Sequence, residues 1–323
     1  MNPPGYWAER RVVVTGGGGF LGSHVINALR DAGCGDVFAV RSREYDLTHE
    51  DAAAQLFADH PADVVMHLAG YVGGIGANKA YPADFFYRNL MMGTLVIDQA
   101  WRAGAEKVVA AGAGCGYPEE APLPIKEEDF WQGFPQTLSA PYSLAKRMLH
   151  VQSMAYWRQH GFPVVVAIPG NIYGPYDNFD LEAAHVIPAL VRKFVEAADD
   201  GHASVTVWGS GTPTRDFVYA GDVARGMLLA AERCDEPALF NLSTGDETSI
   251  RGVVERLTAL TGFAGKVEWD TERPDGQARR VFDVSKADKD LGFQASTTLG
   301  DGLKLTVDWY RANRSVARNV VGV

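Results

Sequence analysis

The chain has 323 residues, of which 46% are hydrophobic, and its net charge is −10. This length suffices for a large core and two coupled lobes, and the acidic balance disfavours nucleic acid as a partner. No apolar run reaches the roughly 18 residues that span a membrane, and the short stretch ahead of the first strand predicts no signal peptide. Three widely spaced cysteines argue against a disulfide framework and a zinc site. We therefore expect a cytoplasmic protein without a metal or a membrane partner.

A short apolar strand, Val12–Val14, runs directly into a glycine-rich turn and then into an apolar-periodic helix. Glycine permits the tight turn and a close backbone approach, and the helix N-terminus supplies free N–H groups and partial positive charge for a dinucleotide phosphate. The spacing Gly-x-x-Gly-x-x-Gly resembles the short-chain dehydrogenase/reductase superfamily. The residues expected to contact the cofactor here are Gly16, Gly18, Gly19, Phe20, Leu21 and Gly22.

The elements that follow alternate between helix and strand patterns. Periodicity predicts helices over Leu21–Ala32 and Glu50–Asp59, and strands over Asp36–Val40, 63–68, Val108–Ala111 and Phe162–Ile168. Strands that alternate with helices form parallel, doubly wound sheets. The sequence therefore predicts an α/β protein with a Rossmann-type sheet.

Two arginines stand at the end of the second predicted strand, where an NAD enzyme usually carries an acid for the ribose 2′-hydroxyl. Arg41 and Arg43 suit a 2′-phosphate instead, so we expect NADP(H) as the cofactor. A solvated loop is the alternative interpretation of this pair. The following Asp46 and Leu47 resemble the acid-leucine pair that contacts adenine in the superfamily.

Tyr142 and Lys146 are four residues apart, which places them on one face of a helix. An ammonium beside a phenol favours the phenolate, so we expect Lys146 to lower the pKa of Tyr142 toward that of a working proton donor. The distance of this pair from the glycine-rich turn favours a catalytic role over a chance match.

Several further blocks sharpen the resemblance from the superfamily to one family, GDP-L-fucose synthase, over nearly the whole chain. They are Val72–Ile75, Tyr81–Phe85, Cys115 with Tyr117–Pro118, Asn171–Phe179, His185–Leu190, Trp208–Pro213, Arg215–Phe217 and Pro274–Gly276. The resemblance implies epimerisation at carbons 3 and 5 of GDP-4-keto-6-deoxy-D-mannose and reduction of its 4-ketone with NADPH.

Residue roles follow from the same resemblance. Cys115 and His185 become the acid-base pair of the epimerisation, a role that suits side chains with near-neutral pKa values. Tyr142 becomes the proton donor to the alkoxide, and Lys146 also holds the nicotinamide ribose. Further cofactor contacts are implied for Ala69, Gly70, Pro169, Asn171 and Ile172. The implied substrate contacts are Asn171, His185, Lys193, Trp208, Arg215 and Asp275.

The resemblance also implies two lobes and a homodimer. Residues 1–170 and about 212–247 would bind the dinucleotide, and about 171–211 with 248–323 would form a smaller α/β C-terminal substrate lobe. Two long helices, about 82–103 and 139–160, would make a four-helix dimer contact. Arg279 and Arg280 would either add charge near the pyrophosphate or form an exposed pair.

Two positions depart from the family pattern. The family has Ser-Ser-Cys where this chain has Ala113, Gly114 and Cys115, which removes a hydroxyl that hydrogen-bonds the sugar ketone. Lys193 replaces an arginine and loses its bidentate fork. Three functions therefore stay open: an epimerase-reductase acting on this or a closely related GDP-hexose, a 3,5-epimerase that keeps its nicotinamide without net redox, and a cofactor-binding sensor or scaffold without turnover.

Overall fold

The structure is a computed structural model that describes residues 5–181, 183–273 and 275–317. Its strands are β1 (Arg11–Thr15), β2 (Asp36–Ala39), β3 (Val64–His67), β4 (Lys107–Ala111), β5 (Val164–Pro169), β6 (Asn171–Tyr173), β7 (Ser204–Trp208), β8 (Thr214–Tyr219), β9 (Ala238–Leu242), β10 (Glu247–Ser249), β11 (Lys266–Asp270) and β12 (Arg279–Arg280).

Its α-helices are α1 (Phe20–Asp31), α2 (Glu50–Asp59), α3 (Ile75–Ala80), α4 (Pro82–Arg102), α5 (Ala140–His160), α6 (Val186–Asp199), α7 (Ala220–Arg233), α8 (Ile250–Thr261), α9 (Ser285–Leu291), α10 (Leu299–Ala312) and α11 (Arg314–Ala317). Three short 3₁₀ turns, Gly114–Gly116, Glu127–Trp131 and Thr137–Ser139, lie between β4 and α5.

Six strands form a parallel sheet in the order β2-β1-β3-β4-β5-β9. The chain leaves β1 toward β2 and returns on the other side to β3, so the connections diverge between β1 and β3. In open α/β sheets the crevice at the carboxyl ends of two such strands is where ligands bind. The fold therefore puts the glycine-rich turn after β1 and the segment after β3 at one ligand-binding edge.

Apolar side chains cover both faces of this sheet. On one face α1 and α7 pack against residues such as Val12, Val14 and Val165, and on the other α2, α4 and α5 cover Val13, Val65 and Val108. The strands are apolar on both sides because helices lie on both sides. The confirmed fold class is thus the α/β, doubly wound parallel sheet that the alternating pattern predicts.

A second core surrounds the smaller sheets. Strands β10, β8 and β12 run side by side, β6 also pairs with β8, and β7 pairs with β11. Helices α6, α8 and α10 supply buried residues such as Phe194, Leu257 and Tyr310 to this core. β8 lies between β10 and β12 in one of these smaller sheets, and the chain returns from it to the parallel sheet through α7 and β9.

The division into two lobes at the boundaries given above stays a prediction, and its residues 318–323 lie outside the described part. Pro274 of the Pro274–Gly276 block lies outside it as well. Among the described helices, none is both long and apolar enough to cross a membrane.

Candidate active site

The turn after β1 is built so closely that side chains would not fit at two of its glycines. Gly16 has φ +68°, and a Cβ there would lie 2.9 Å from the backbone nitrogen of Ala69. A Cβ at Gly22 would overlap the carbonyl oxygen of Gly16. The turn, the first turn of α1 and the end of β3 are therefore held together by backbone contact.

The N-terminus of α1 fits a dinucleotide phosphate. Gly19, the residue before the helix, makes no side-chain capping bond, and the first helical turn contains no acid. Gly18 has open space where a Cβ would stand, and Phe20 and Leu21 are only partly buried. Free N–H groups and the positive end of the helix dipole thus face an uncrowded surface that suits an anion.

The two arginines after β2 are exposed, as a phosphate-binding role requires. Arg43 has 71% of its side chain accessible and lies 3.5 Å from the carboxylate of Glu44. Asp46 accepts hydrogen bonds from the backbone and hydroxyl of Thr48, which hold its pKa below the usual range. Leu47 is buried in the core beneath the loop. The loop presents the arginines and fixes Asp46 beside them.

Thr15 joins the carboxyl ends of β1 and β3. Its buried hydroxyl contacts His67 Nδ1 at 2.8 Å and accepts hydrogen bonds from the N–H groups of Leu68 and Ala69, both at 3.1 Å. Burial, together with the positive charge of Lys146, lowers the pKa of His67 to about 3. His67 is therefore a neutral structural residue, and the sequence analysis did not single out either partner.

Lys146 projects into the space between the ends of β3 and β4. Its Nζ donates to the carbonyl of Ala111 at 3.1 Å, and burial lowers its pKa to about 8. A Cβ on Gly70 would lie 3.5 Å from Nζ and 3.2 Å from the amide oxygen of Asn89. The predicted cofactor residue Gly70 and the predicted lysine are therefore neighbours, and Asn89 fixes the adjoining loop through hydrogen bonds with the backbone of Tyr71.

Tyr142 lies one turn before Lys146 on α5, but its titration differs from the prediction. Burial raises the pKa of Tyr142, and a negative charge on Cys115 raises it further. The prediction that Lys146 lowers this pKa is wrong for the protein by itself, because burial sets the direction of the shift and no lowering by Lys146 offsets it. The phenol consequently stays protonated at neutral pH, which is the form that donates a proton.

Cys115 belongs to the same cluster. It sits in the 3₁₀ turn after β4, two residues after the buried Ala113. Burial raises the pKa of its thiol, whereas hydrogen bonding from Ser143 and the positive charges of Arg280 and Lys146 favour the thiolate. Ser143 thus places a hydroxyl beside the thiol, although the family's serine is absent at position 113.

All three cysteines are free. Within the ranges that the structure describes, no group of three or more His, Cys, Asp or Glu side chains is arranged to hold a metal ion.

His185 precedes α6 as its N-terminal cap residue, in an extended conformation. Its side chain is exposed, yet enough protein surrounds the imidazole that partial desolvation lowers its pKa. A Cβ on Gly74 would lie 3.7 Å from the carbonyl of Ala183, so the loop after β3 runs beside the segment that carries His185. Among the described residues, no hydrogen bond joins His185 to Cys115.

Trp208 presents an open aromatic face at the end of β7. The ring is 58% exposed, and the cations of Lys193 and Arg273 lie 5.3 Å and 5.0 Å from its centre. Lys193 also donates to the carbonyl of Thr206 at 2.9 Å. The structure brings the predicted Lys193 and Trp208 together and adds Arg273, which the sequence analysis missed.

Two other predicted substrate residues, Arg215 and Asp275, lie on β8 and in the loop before β12. Arg215 follows Thr214 on β8 and donates to its carbonyl at 2.7 Å. Asp275 accepts hydrogen bonds from the backbone and hydroxyl of Ser210, at 2.7 Å and 2.8 Å, and so anchors the loop after Trp208.

Asn171 lies where the chain passes from β5 of the parallel sheet to β6, which pairs with β8. Its amide donates to the carbonyl of Asp216 at 3.2 Å. It follows Pro169, whose carbonyl would lie 3.4 Å from a Cβ on Gly114, and precedes Ile172, which packs against the core under α1. The predicted residues 169–172 therefore border the turn that carries Cys115.

Comparisons with known proteins identify the family of the chain. Residues 12–243 match the model of the NAD dependent epimerase/dehydratase family. GDP-L-fucose synthase 1 of Arabidopsis thaliana is 36% identical over 94% of both chains.

Solved structures of GDP-sugar enzymes are similar to this chain over nearly its whole length. A GDP-L-fucose synthetase from Naegleria fowleri bound to NADP is 30% identical, with a TM-score of 0.88 over 97% of this chain and 96% of that one. A GDP-6-OMe-4-keto-L-xylo-heptose reductase from C. jejuni is 27% identical, with a TM-score of 0.86 over 94% of this chain and 98% of that one. The chain therefore belongs to the NAD dependent epimerase/dehydratase family and, within it, to the GDP-L-fucose synthase family.

Proposed function

We propose that the protein is an NADP-dependent epimerase-reductase that acts on GDP-4-keto-6-deoxy-D-mannose. The observation that carries the proposal is the cluster of Cys115, Tyr142 and Lys146 beside Gly70, at the sheet edge that also holds the glycine-rich turn. A binding module has no need for buried acid-base groups at that edge, because their desolvation costs free energy.

The cofactor assignment is supported by the fit of the residues to a dinucleotide. The N-terminus of α1 would hold the pyrophosphate, Arg41 and Arg43 the 2′-phosphate, and Lys146 the nicotinamide ribose. NADPH supplies a hydride when bound. The chain's own groups orient the sugar and move protons.

Epimerisation needs a base on one face of the sugar and an acid on the other. The 4-ketone acidifies the C–H bonds at carbons 3 and 5, so loss of either proton gives an enolate whose negative charge lies on the oxygen at carbon 4. Cys115 and His185 would remove and return these protons. They lie on different loops, after β4 and before α6, as attack on two faces requires.

Reduction needs a proton at the oxygen of carbon 4. Tyr142, kept protonated by burial, would donate it to the alkoxide, and Lys146 would then support the phenolate. Trp208 with its two cations suits the guanine ring and the diphosphate.

The proposal is tested by incubation with GDP-4-keto-6-deoxymannose and NADPH, measuring cofactor oxidation and sugar stereochemistry together. We expect one NADPH consumed for each GDP-L-fucose formed. Epimerised sugar without NADPH consumption would support the alternative, a GDP-hexose 3,5-epimerase that retains its nicotinamide. Cofactor binding without any product would support the non-catalytic sensor or scaffold.

We also propose a homodimer through α4 and α5. These helices pack together, with Gln152 donating to the carbonyl of Thr94 at 2.9 Å and Tyr156 to Asp98 at 2.6 Å. They also carry exposed apolar side chains, namely Phe86, Tyr87, Val151 and Met154. Sedimentation equilibrium should give twice the mass of the chain. The mass of one chain alone at micromolar concentration would contradict the dimer.

A further inference from the structure

Two adjacent arginines of β12 have opposite surroundings. Arg279 pairs with the carboxylate of Glu247 at the surface, with Nε 3.0 Å from Oε1. Arg280 instead turns inward, where Nη2 donates to the carbonyl of Gly114 and Nη1 donates to Gln277 Oε1 at 3.0 Å. Of the two charges that the sequence left unassigned, only that of Arg280 reaches the turn that carries Cys115.

The turn packs closely against Phe282, the ring beside which Arg280 lies. A Cβ on Gly114 would lie 3.0 Å from the ring of Phe282 and 3.4 Å from the carbonyl of Pro169. The Arg280 guanidinium lies 5.7 Å from the centre of the Phe282 ring. The glycine that replaces a family serine thus gives Phe282 room beside the cysteine loop, and Arg280 lies next to that ring.

The charge of Arg280 has no carboxylate to neutralise it. In the ranges that the structure describes it forms no ion pair, and both of its hydrogen-bond acceptors are neutral. Burial lowers its pKa, and a negative charge at Cys115 has the opposite effect. A partly desolvated cation without a counter-ion stabilises an anion placed next to it. Cys115, the residue after Gly114, can supply that anion as a thiolate.

We propose that Arg280 is a positioning residue for Cys115, whose guanidinium holds the Gly114 carbonyl and serves as the fixed counter-charge of the Cys115 thiolate. The meaning of a Cys115 thiolate for epimerisation rests on the proposed function, but the contact between Arg280 and the turn does not. The other charged or titratable groups acting on Cys115 are Tyr142 and Lys146 of α5. Their contribution is the same in every variant used below.

Alkylation of Cys115 tests the proposal without any sugar. Iodoacetamide forms a carbon–sulfur bond with a thiolate and releases iodide, so its rate against pH reports the thiolate fraction. The rate is measured on the intact protein by mass spectrometry of the peptide that contains Cys115. The variants are R280M and R280Q, which remove the charge, R280K, which keeps it, and R279M as the matched control.

We expect the midpoint of the alkylation profile to rise by about one pH unit in R280M and R280Q, which slows the reaction about tenfold at neutral pH. R280K should stay nearer the wild type, and R279M should match it. Equal midpoints in wild type, R280M and R280Q would overturn the proposal, and so would an equal shift in R279M.

Two further measurements guard the interpretation. The buried Cys34 should resist alkylation in every variant, which reports that the fold is intact. R280Q retains a donor for the Gly114 carbonyl, so it answers the question if R280M does not fold. If the wild type does not convert the sugar but the alkylation shift is present in R280M and R280Q, the proposed function is overturned and the role of Arg280 stands.

Discussion

Under the proposed function, Ala113 and Ser143 bear on which hydroxyl can approach the reacting oxygen. Ala113 offers only a methyl group in a buried position, whereas Ser143 lies beside Cys115 and shares a 3.5 Å contact with the hydroxyl of Ser139. The enolate can still be stabilised by Tyr142. Reduction asks more, because the alkoxide must be aligned and protonated at the same time.

Ala113→Ser should therefore raise NADPH-dependent reduction more than it raises exchange of the sugar protons with solvent. A donor aimed at an oxyanion is typically worth about 10²–10³ in rate. We expect roughly tenfold or more in the ratio of the two rates. The ratio tolerates small changes in folding or affinity. An unchanged ratio would mean that Ser143 or another group already fills this role.

Asp177 is a buried carboxyl group that makes stability depend on pH. Its Oδ2 has no hydrogen-bond partner in the described part of the chain, and burial raises its pKa to about 8. An unfolded aspartate titrates near 3.9. The stability contributed by this group is therefore complete below about pH 4. It falls as the pH rises toward 8, because the unfolded aspartate ionises in this range while the folded one keeps its proton.

Asp177→Asn should remove this dependence. Between pH 5 and 8.5 we expect the unfolding free energy of the wild type to fall by roughly 2–5 kcal/mol relative to the variant, at about 1.4 kcal/mol for each unit of pKa difference. Urea unfolding at both pH values gives the comparison. Asp31→Asn, at an exposed aspartate, should follow the wild type. Parallel pH profiles for wild type and Asp177→Asn would contradict the assignment.

We expect the loop after β2 to set the preference for NADPH over NADH. Arg41 and Arg43 are both exposed there. A charge-assisted hydrogen bond contributes about 1.5–3 kcal/mol, so NADPH should bind roughly tenfold or more tightly than NADH. Arg41→Ala and Arg43→Ala should each reduce the difference, whereas Arg30→Ala, at an exposed arginine near the end of α1, should leave it unchanged. Titration calorimetry measures both constants, and equal affinities in the wild type would refute the prediction.

Regular elements could be predicted from the sequence because their signals are local. The helix Glu50–Asp59 has the predicted bounds. The first helix, predicted over Leu21–Ala32, begins and ends one residue earlier, at Phe20 and Asp31. The opposite surroundings of Arg279 and Arg280 could not be predicted, because they follow from the pairing of β12 with β8, a strand remote in sequence. The raised pKa of Tyr142 was missed for a similar reason. The four-residue spacing shows only that Tyr142 and Lys146 share a helix face, whereas the burial that raises the pKa depends on the whole fold.

At the scale of the molecule, the candidate site is assembled from elements of three sheets. The glycine-rich turn and Cys115 follow strands of the parallel sheet and Lys146 lies on α5, whereas Trp208 ends β7 of the two-stranded sheet and Arg280 lies on β12 beside β8. Asp216 joins them as a buried carboxylate that accepts from Thr244, from the backbone of Gly245 and from that of Phe282. The resemblance names Cys115, Lys146 and Trp208 as candidates and leaves Arg280 open, whereas the approach of these four residues requires the tertiary structure.

The central claim is that Cys115 and His185 exchange the protons at carbons 3 and 5, and the most direct test is solvent exchange in deuterated water. Wild-type protein with GDP-4-keto-6-deoxymannose should incorporate deuterium at both carbons, followed by NMR or mass spectrometry. Cys115→Ser or His185→Asn should suppress that incorporation while leaving NADPH affinity largely intact. Wild-type exchange rates at both carbons in both variants would contradict the account.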